Sequence, residues 1–259
     1  YELALSSGHT LKQIASDGGL LPGVVPRNTV AIWPGERVEV VVDFSQVPLG
    51  SQVVLRNLLG SGRTADVMRF DVVRRETDSS RVPRRLRPLE RLAEASAAIT
   101  RDFSFDIIGM PLAWSINGRV FDENRVDADP ALGSTEIWRL TTPTTMNHPV
   151  HLHLVMFQVL DRNGWPPDAA ESGWKDTVIV NYGEVVRVIA RFEDYTGRYV
   201  FHCHNLEHED HMMMAQFEVR DPTSGSRADA VTGGVHVGGG HTGGGHSGGG
   251  HSGGGHSGH

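Results

Sequence analysis

Residues 199–214, YVFHCHNLEHEDHMMM, concentrate side chains that bind metal ions. The segment holds four histidines, three methionines and Cys203, the only cysteine in the chain. A second segment at residues 147–160, NHPVHLHLVMFQVL, adds three more histidines. Imidazole, thiolate and thioether groups are ligands that transition metals such as copper and zinc accept. The two segments therefore predict a metal centre built from histidine and sulfur ligands.

Alternation along a β-strand would divide these ligands between two faces. In a strand, residues i and i+2 share one face while residue i+1 projects to the other. If YVFHCH is a strand, His202 and His204 project together and Cys203 projects to the opposite side. The same spacing places His151 and His153 on one face. Two such strands side by side would bring the four imidazoles to one point.

A second group of ligands would form behind the imidazoles. Cys203 could meet His148, His208 and a methionine there, and His2Cys with a weak axial methionine is the ligand set of blue-copper electron-transfer sites. We expect one of Met212–Met214 to be the ligand and the other two to be packing residues. Imidazoles without thiolate suit copper, zinc or iron, so copper alone satisfies both groups.

Two simpler interpretations compete with a copper centre. A lone buried cysteine is usually a small hydrophobic residue, and isolated histidines usually lie at the surface or in a satisfied core. A structural zinc site prefers several cysteines and four ligands in total. The spacing HxxHxH at 148–153, followed by HCHxxxHxxxxM at 202–213, favours copper over both.

The bulk composition excludes some classes of function. The chain has 259 residues and a formal net charge of −7, which gives no reason to expect nucleic acid or an anionic membrane as a partner. A single cysteine excludes an intramolecular disulfide and leaves the redox compartment open. Because we expect the true N-terminus to be absent, an extracellular or periplasmic and a cytoplasmic localisation are both open. No apolar run approaches the eighteen or so residues of a spanning helix.

The pattern of the chain predicts an all-β protein of the antiparallel sandwich or Greek-key barrel type. Residues 1–73 show three valine-rich strand segments, too few for a sandwich of about seven strands. Residues 74–100 are rich in arginine and broken by proline, which is typical of a linker with a possible short helix. Residues 101–220 predict further strands, and one of them is expected to run through 149–160.

Residues 221–259 differ from the rest in composition. Glycine dominates, and histidines recur with a period of five from His236 to His256. Such a segment cannot bury a core, so we expect a disordered tail. Spaced histidines could bind copper weakly and multivalently, which gives a hypothesis of copper gathering.

The motifs HPVHLH and HCHNLEHEDHMM, with GWKDTV between them, resemble the C-terminal signature of the multicopper oxidases. They are similar in particular to the branch of bacterial spore-coat laccase, bilirubin oxidase and phenoxazinone synthase. The resemblance implies cupredoxin-like Greek-key domains. Residues 1–73 would be the latter part of a second domain, 74–100 a linker, and 101–220 a complete C-terminal domain. Because the chain begins with Tyr1, we expect the C-terminal portion of a longer protein.

The resemblance also implies a type 1 copper site. Its ligands would be His148, Cys203 and His208, with Met213 in the axial position. A small-molecule reducing substrate would give up electrons near the edge of His208. The electrons would then pass through Cys203 to the two histidines on either side of it, which makes His208 and Cys203 catalytic.

The same resemblance implies part of a trinuclear copper centre. His151 would serve the type 2 copper, and His153, His202 and His204 would serve the type 3 pair. Glu209 resembles an acid that delivers protons to reduced oxygen, although an exposed loop carboxylate is an equally open interpretation.

The implied reaction couples one-electron oxidation of phenolic, aromatic or metal-ion substrates to the reduction of O2 to water. The family's trinuclear centre takes eight histidines, and half of them come from two HxH motifs of the first domain. This chain has no further HxH motif. We therefore expect an absent N-terminal cupredoxin domain to be a partner. The alternative is a non-enzymatic electron-transfer module in which only the type 1 site is complete.

Overall fold

Strands dominate residues 1–223, the part of the chain that the computed structural model describes, so the expected all-β fold is confirmed. The sixteen strands within these residues are β1 (Glu2–Leu5), β2 (Leu11–Ser16), β3 (Gly19–Arg27), β4 (Val30–Ala31), β5 (Glu39–Val41), β6 (Gln52–Asn57), β7 (Asp66–Asp71), β8 (Ile99–Ile108), β9 (Ala113–Ile116), β10 (Thr135–Thr141), β11 (His148–Leu152), β12 (Phe157–Arg162), β13 (Thr177–Val180), β14 (Val185–Arg191), β15 (Gly197–Cys203) and β16 (Met214–Val219). The one α-helix among these described residues, α1 (Leu206–Asp210), follows β15.

The N-terminal region, residues 1–73, contains seven strands rather than the three expected. They form one sheet in the order β4-β1-β6-β7 and another in the order β3-β2-β5. Sequence analysis missed the strands before Glu39 because they are short or, like β3 with its two prolines, lack clear alternation. The strand count from which we expected an incomplete sandwich was therefore too low.

The C-terminal region, residues 101–220, packs two sheets face to face. The five-stranded sheet has the order β12-β14-β10-β8-β9, and the four-stranded sheet has the order β13-β11-β15-β16. Aromatic rings join them: the ring centroids of Phe103 and Phe201 lie 4.7 Å apart, and those of Trp138 and Phe217 lie 5.6 Å apart. Burial of such large rings contributes strongly to the packing of the two sheets.

Residues 149–160 form parts of two strands, so the expectation of one strand there is wrong. The chain leaves β11 after Leu152 and joins the other sheet as β12, and Leu154 between them has a positive φ of 68°. A continuous apolar run of this length looks like one strand because periodicity cannot detect a change of sheet.

The segment 74–100 contains one 3-10 turn, Glu94–Ser96, in place of the possible short helix. Leu92 is buried against Ile137 and Ile189, so the end of this segment is anchored to the five-stranded sheet. Among the described residues no helix is long and apolar enough to cross a membrane. The expected tail lies outside the described residues, apart from residues 221–223.

Candidate metal centres and family

The pairing of β11 with β15 sorts the candidate ligands onto two faces of one sheet. In this antiparallel pair His151 lies opposite His202, and Val150 lies opposite Cys203. Directly opposed residues of a pair share a face. His148 is two residues from Val150 and therefore shares the face of Cys203. Two clusters thus form back to back, one of imidazoles and one around the sulfur.

The imidazole cluster consists of His151, His153, His202 and His204. Ligand atoms of the first three lie within 4.8 Å of one another. The Nε2 atoms of His153 and His202 are 3.3 Å apart. The ring of His204 is 5.3 Å from that of His202 and 5.7 Å from that of His151, centroid to centroid. His153 is exposed, so the cluster opens at the surface of the described chain.

In His151 and His202, hydrogen bonds determine which ring nitrogen is available to bind a metal. Nδ1 of His151 lies 2.9 Å from the backbone oxygen of Asp176, and Nδ1 of His202 lies 3.0 Å from that of Cys203. A carbonyl oxygen can only accept, so both Nδ1 atoms carry the proton and donate it. Each Nε2 is then left with a free lone pair, as a metal ligand requires.

The sulfur cluster consists of Cys203, His148 and His208, all of them buried. Sγ of Cys203 lies 3.5 Å from Nδ1 of His148 and 3.4 Å from Nδ1 of His208. The two Nδ1 atoms are 3.2 Å apart. Three donor atoms therefore converge on one point within the core, while the Nε2 edges face away from it.

Met213 is fully buried in the same core as Cys203. Its backbone oxygen accepts a hydrogen bond from the amide of Cys203, and its own amide donates to the backbone oxygen of His208. Met213 is thus held between two of the three converging residues. Met212 is 49% exposed with a φ of 80°, so the expectation that it packs in the core is wrong.

Burial changes the acid–base properties of the sulfur cluster. It raises the pKa of the Cys203 thiol to about 12. Burial, together with the nearby His208, lowers the pKa of His148 to about 4, and burial also lowers the pKa of His208. Both imidazoles are therefore neutral at pH 7. Neutral imidazoles around a thiol fit a site in which a bound cation supplies the charge that stabilises the thiolate.

Trp114 is a residue of this neighbourhood that sequence analysis did not single out. Its ring stacks on that of His208 with a centroid distance of 3.7 Å and an interplanar angle of 24°. It lies in β9, whose four residues carry too little pattern to be recognised as a strand. The side chain covers one face of His208, which itself is 8% exposed.

Glu209 lies in α1, and its side chain contacts the imidazole cluster. Its Oε2 is 3.3 Å from Nδ1 of His202, whereas the neighbouring Asp210 is exposed. The carboxylate therefore contacts the back of a candidate ligand. A role in proton delivery stays a prediction.

Several residues outside the motifs support the imidazole cluster. Thr177 Oγ1 is 3.1 Å from Nδ1 of His151, and the Asp176 carboxylate is held by Arg37 through two contacts of 2.6 Å. Burial raises the pKa of Asp176, but hydrogen bonds from His151, Arg37 and Thr177 outweigh it and hold the pKa well below its usual range. The motif GWKDTV contains this aspartate, but nothing local in the sequence indicates that a residue 139 positions away contacts it.

A sequence model of the multicopper oxidases matches residues 89–223, more than half of the chain. The chain is a member of the multicopper oxidase family. It is 37% identical over 252 residues to a laccase of Bacillus subtilis (strain 168), covering 86% of this chain and 48% of the relative. It is 39% identical over 233 residues to a bilirubin oxidase of Albifimbria verrucaria, covering 83% and 40%. This multicopper oxidase chain spans about half the length of these curated relatives.

Solved structures support the same assignment. The crystal structure of a multi-copper oxidase from Pediococcus acidilactici superposes with a TM-score of 0.77 at 32% identity, covering 86% of this chain and 46% of that one. The expected cupredoxin-like fold is therefore confirmed. The family implies copper, and both clusters fit it: one offers nitrogen and thiolate donors with a methionine at hand, the other unprotonated Nε2 atoms.

Proposed function

We propose that this chain carries the type 1 copper site and half of the trinuclear ligands of a laccase-like oxidase. The observation that carries the proposal is the back-to-back arrangement of the clusters, joined by the peptide bonds between Cys203 and its two neighbouring histidines. His148, Cys203 and His208 would hold the type 1 copper, and the thioether of Met213 would be a further, weak ligand. When bound, copper supplies the one-electron redox chemistry that organic side chains lack.

The residues around the sulfur cluster exclude water and hold the donors in place. His148 and Cys203 are fully buried, and Trp114 covers one face of His208. His208, the least buried of the three ligands, is the point at which a reducing substrate approaches. Phenolic and aromatic molecules or low-valent metal ions are the proposed substrates; one relative is named bilirubin oxidase, after an organic reductant.

For the imidazole cluster we propose that His151 serves the type 2 site and that His153, His202 and His204 serve the type 3 pair. Four imidazoles that open at the surface suit a site completed by another domain. We therefore propose that an N-terminal cupredoxin domain supplies the other four histidines, and that residues 1–73 belong to a second cupredoxin domain and 101–220 to a third. We also propose that Glu209 relays protons to O2 during its reduction, which its contact with His202 supports.

The test compares His202→Ala with Cys203→Ser in the longest protein that the gene encodes. His202→Ala should keep the blue absorption band and abolish O2 uptake with a phenolic donor, whereas Cys203→Ser should abolish both. O2 uptake that survives His202→Ala would contradict the proposal.

An electron-transfer module is the second candidate, because the sulfur cluster alone is complete among the described residues. The coding sequence upstream of Tyr1 distinguishes the two candidates. Two further HxH motifs would favour the oxidase. Their absence, together with blue colour but no O2 uptake, would favour the module.

A further inference from the structure

A turn of the N-terminal region lies against the imidazole cluster. Residues 33–37, WPGER, follow β4, and the amide of Glu36 donates to the backbone oxygen of Trp33 at 3.0 Å, which closes the turn. We call these residues the 33–37 turn. Three of its successive residues each contact a different residue of the C-terminal region, namely His204, Lys175 and Asp176.

Gly35 provides the contact with His204. Its φ is +82°, a conformation that L side chains rarely adopt. A Cβ atom built on Gly35 would lie 2.5 Å from Cδ2 of His204 and 2.9 Å from Cγ. The backbone of the turn therefore forms a wall against the imidazole, and only glycine allows so close an approach.

Arg37 provides the contact that reaches His151. Its two terminal nitrogens each lie 2.6 Å from one carboxylate oxygen of Asp176, a bidentate pair. The backbone oxygen of Asp176 accepts the Nδ1 proton of His151 at 2.9 Å. Thr177 Oγ1 donates to the Asp176 carboxylate and also lies beside Nδ1 of His151. Arg37 thus holds the residue that determines the orientation of His151.

Glu36 and Asp17 hold the turn in place through their contacts with Lys175. Nζ of Lys175 lies 3.3 Å from a Glu36 carboxylate oxygen and 3.0 Å from one of Asp17. Asp17 also accepts from the amide of Arg37 at 2.8 Å. The side chains of Lys175 and Asp17 are 4% and 0% exposed, so this anchor is shielded from water and rigid.

We propose that the 33–37 turn positions the imidazole cluster: Gly35 sets the plane of His204, and Arg37, through Asp176, sets the tautomer and orientation of His151. None of the turn's residues is a copper ligand, so they are positioning residues. The copper-binding consequence rests on the proposed function, whereas the tautomer is a property of the metal-free chain. The N-terminal region would then control the geometry of a metal centre to which it contributes no ligand.

The first test compares Arg37→Gln with Arg27→Gln. Arg27 also joins the N-terminal region to the C-terminal region, through a 2.9 Å contact with Asp168, but has no contact with the imidazoles among its described hydrogen bonds and ion pairs. ¹⁵N NMR of the metal-free 259-residue chain reports the tautomer of His151, whose signals are identified by their loss in His151→Gln. Arg37→Gln should mix the His151 tautomers, and Arg27→Gln should not.

Copper titration of the same samples gives a second readout. Bound Cu(II) removes the NMR signals of His151. The Cu(II) concentration needed for this loss should be about 10–100-fold higher in Arg37→Gln than in the unaltered chain, because removing a residue that supports a ligand typically weakens metal binding by this factor. The blue absorption band should stay unchanged.

The second test compares Gly35→Ala with Gly50→Ala. Both glycines have a φ of +82°, so both substitutions introduce the same backbone strain, but nothing lies within 4 Å of a Cβ at Gly50. Gly35→Ala should shift the ring signals of His204, while Gly50→Ala should leave them in place.

Each result decides the proposal. An unchanged His151 tautomer in Arg37→Gln, or an equal change in Arg27→Gln, would overturn the role of Arg37. Equal effects of the two glycine substitutions on His204 would overturn the role of Gly35. If the unaltered chain binds no copper at these imidazoles, the half-site needs the proposed N-terminal domain to bind metal, and the NMR comparison of the metal-free chain alone decides the positioning.

Discussion

Cys203 and the histidines on either side of it show how the end of a single strand can supply two separate clusters of candidate metal ligands. The alternation of β15 sends the thiol into the core and the imidazoles to the opposite face, so the two clusters are separated by one layer of backbone. The backbone provides a continuous covalent path from the Cys203 thiol to the imidazoles of His202 and His204. At this scale, burial and hydrogen bonds supply what a ligand set needs, namely neutral rings, fixed tautomers and exclusion of water.

Met213→Leu tests the proposal that Met213 is a ligand of the type 1 copper. A leucine of similar size keeps the packing but removes the thioether, so we expect the blue band to persist and the reduction potential to rise. A redox titration followed at the blue band measures the change. Met212→Leu is the matched control, because Met212 is exposed and should leave the potential unaltered. Equal potentials in the Met213 variant and the unaltered chain would exclude Met213 as a ligand.

At the scale of elements, a buried ion network joins the N-terminal region to the strand that supports His151. Lys175 is 3% exposed and contacts both Asp17 and Glu36. Replacing it with methionine would leave two buried carboxylates without their cation. Removing one partner of a buried ion pair typically costs about 3–5 kcal/mol.

We therefore expect Lys175→Met to lower the free energy of unfolding by about 3–5 kcal/mol, measured by urea denaturation. Lys12→Met is the control, because Lys12 lies 3.9 Å from Asp43 with both side chains largely exposed. Its effect should stay within about 0.5 kcal/mol. A similar loss in both variants would contradict the importance of the buried network.

The same network predicts a dependence of stability on pH. Burial lowers the pKa of Lys175, but the charges of Glu36 and Asp17 outweigh it and raise the pKa above the ordinary value of 10.5. A raised pKa contributes stability that is fully present below pH 10.5 and is lost as the pH rises through the folded-state value. The difference in unfolding free energy between the unaltered chain and Lys175→Met should therefore shrink as the pH rises above 10.5. A constant difference throughout would contradict this.

The parts of the fold that could be predicted are those that depend on local pattern. Alternation in HLH and HCH sufficed to place His151 with His202 and to set Cys203 apart, because side-chain direction in a strand is a local property. The short strands β9 and β13 and the change of sheet after Leu152 leave no periodic signal. The contact of Gly35 with His204 joins segments far apart in the chain, and no local pattern encodes it.

At the scale of the whole molecule, all eight candidate ligands lie within residues 1–223. Deleting residues 224–259 should therefore leave the blue band per chain unchanged when copper is in excess. If the spaced histidines gather copper, the deletion should lower copper loading only at limiting metal. Unchanged loading under both conditions would reject the gathering hypothesis, and loss of the band at excess copper would show that the ligand assignment is incomplete.

The most direct test of the central claim is the visible and EPR spectrum of the chain loaded with Cu(II), with copper counted per chain and the glycine–histidine segment removed. The account predicts an intense thiolate-to-copper band with a narrow hyperfine splitting that disappears in Cys203→Ser. A cooperatively folded chain that takes up copper without this band, or a band that survives Cys203→Ser, would contradict it.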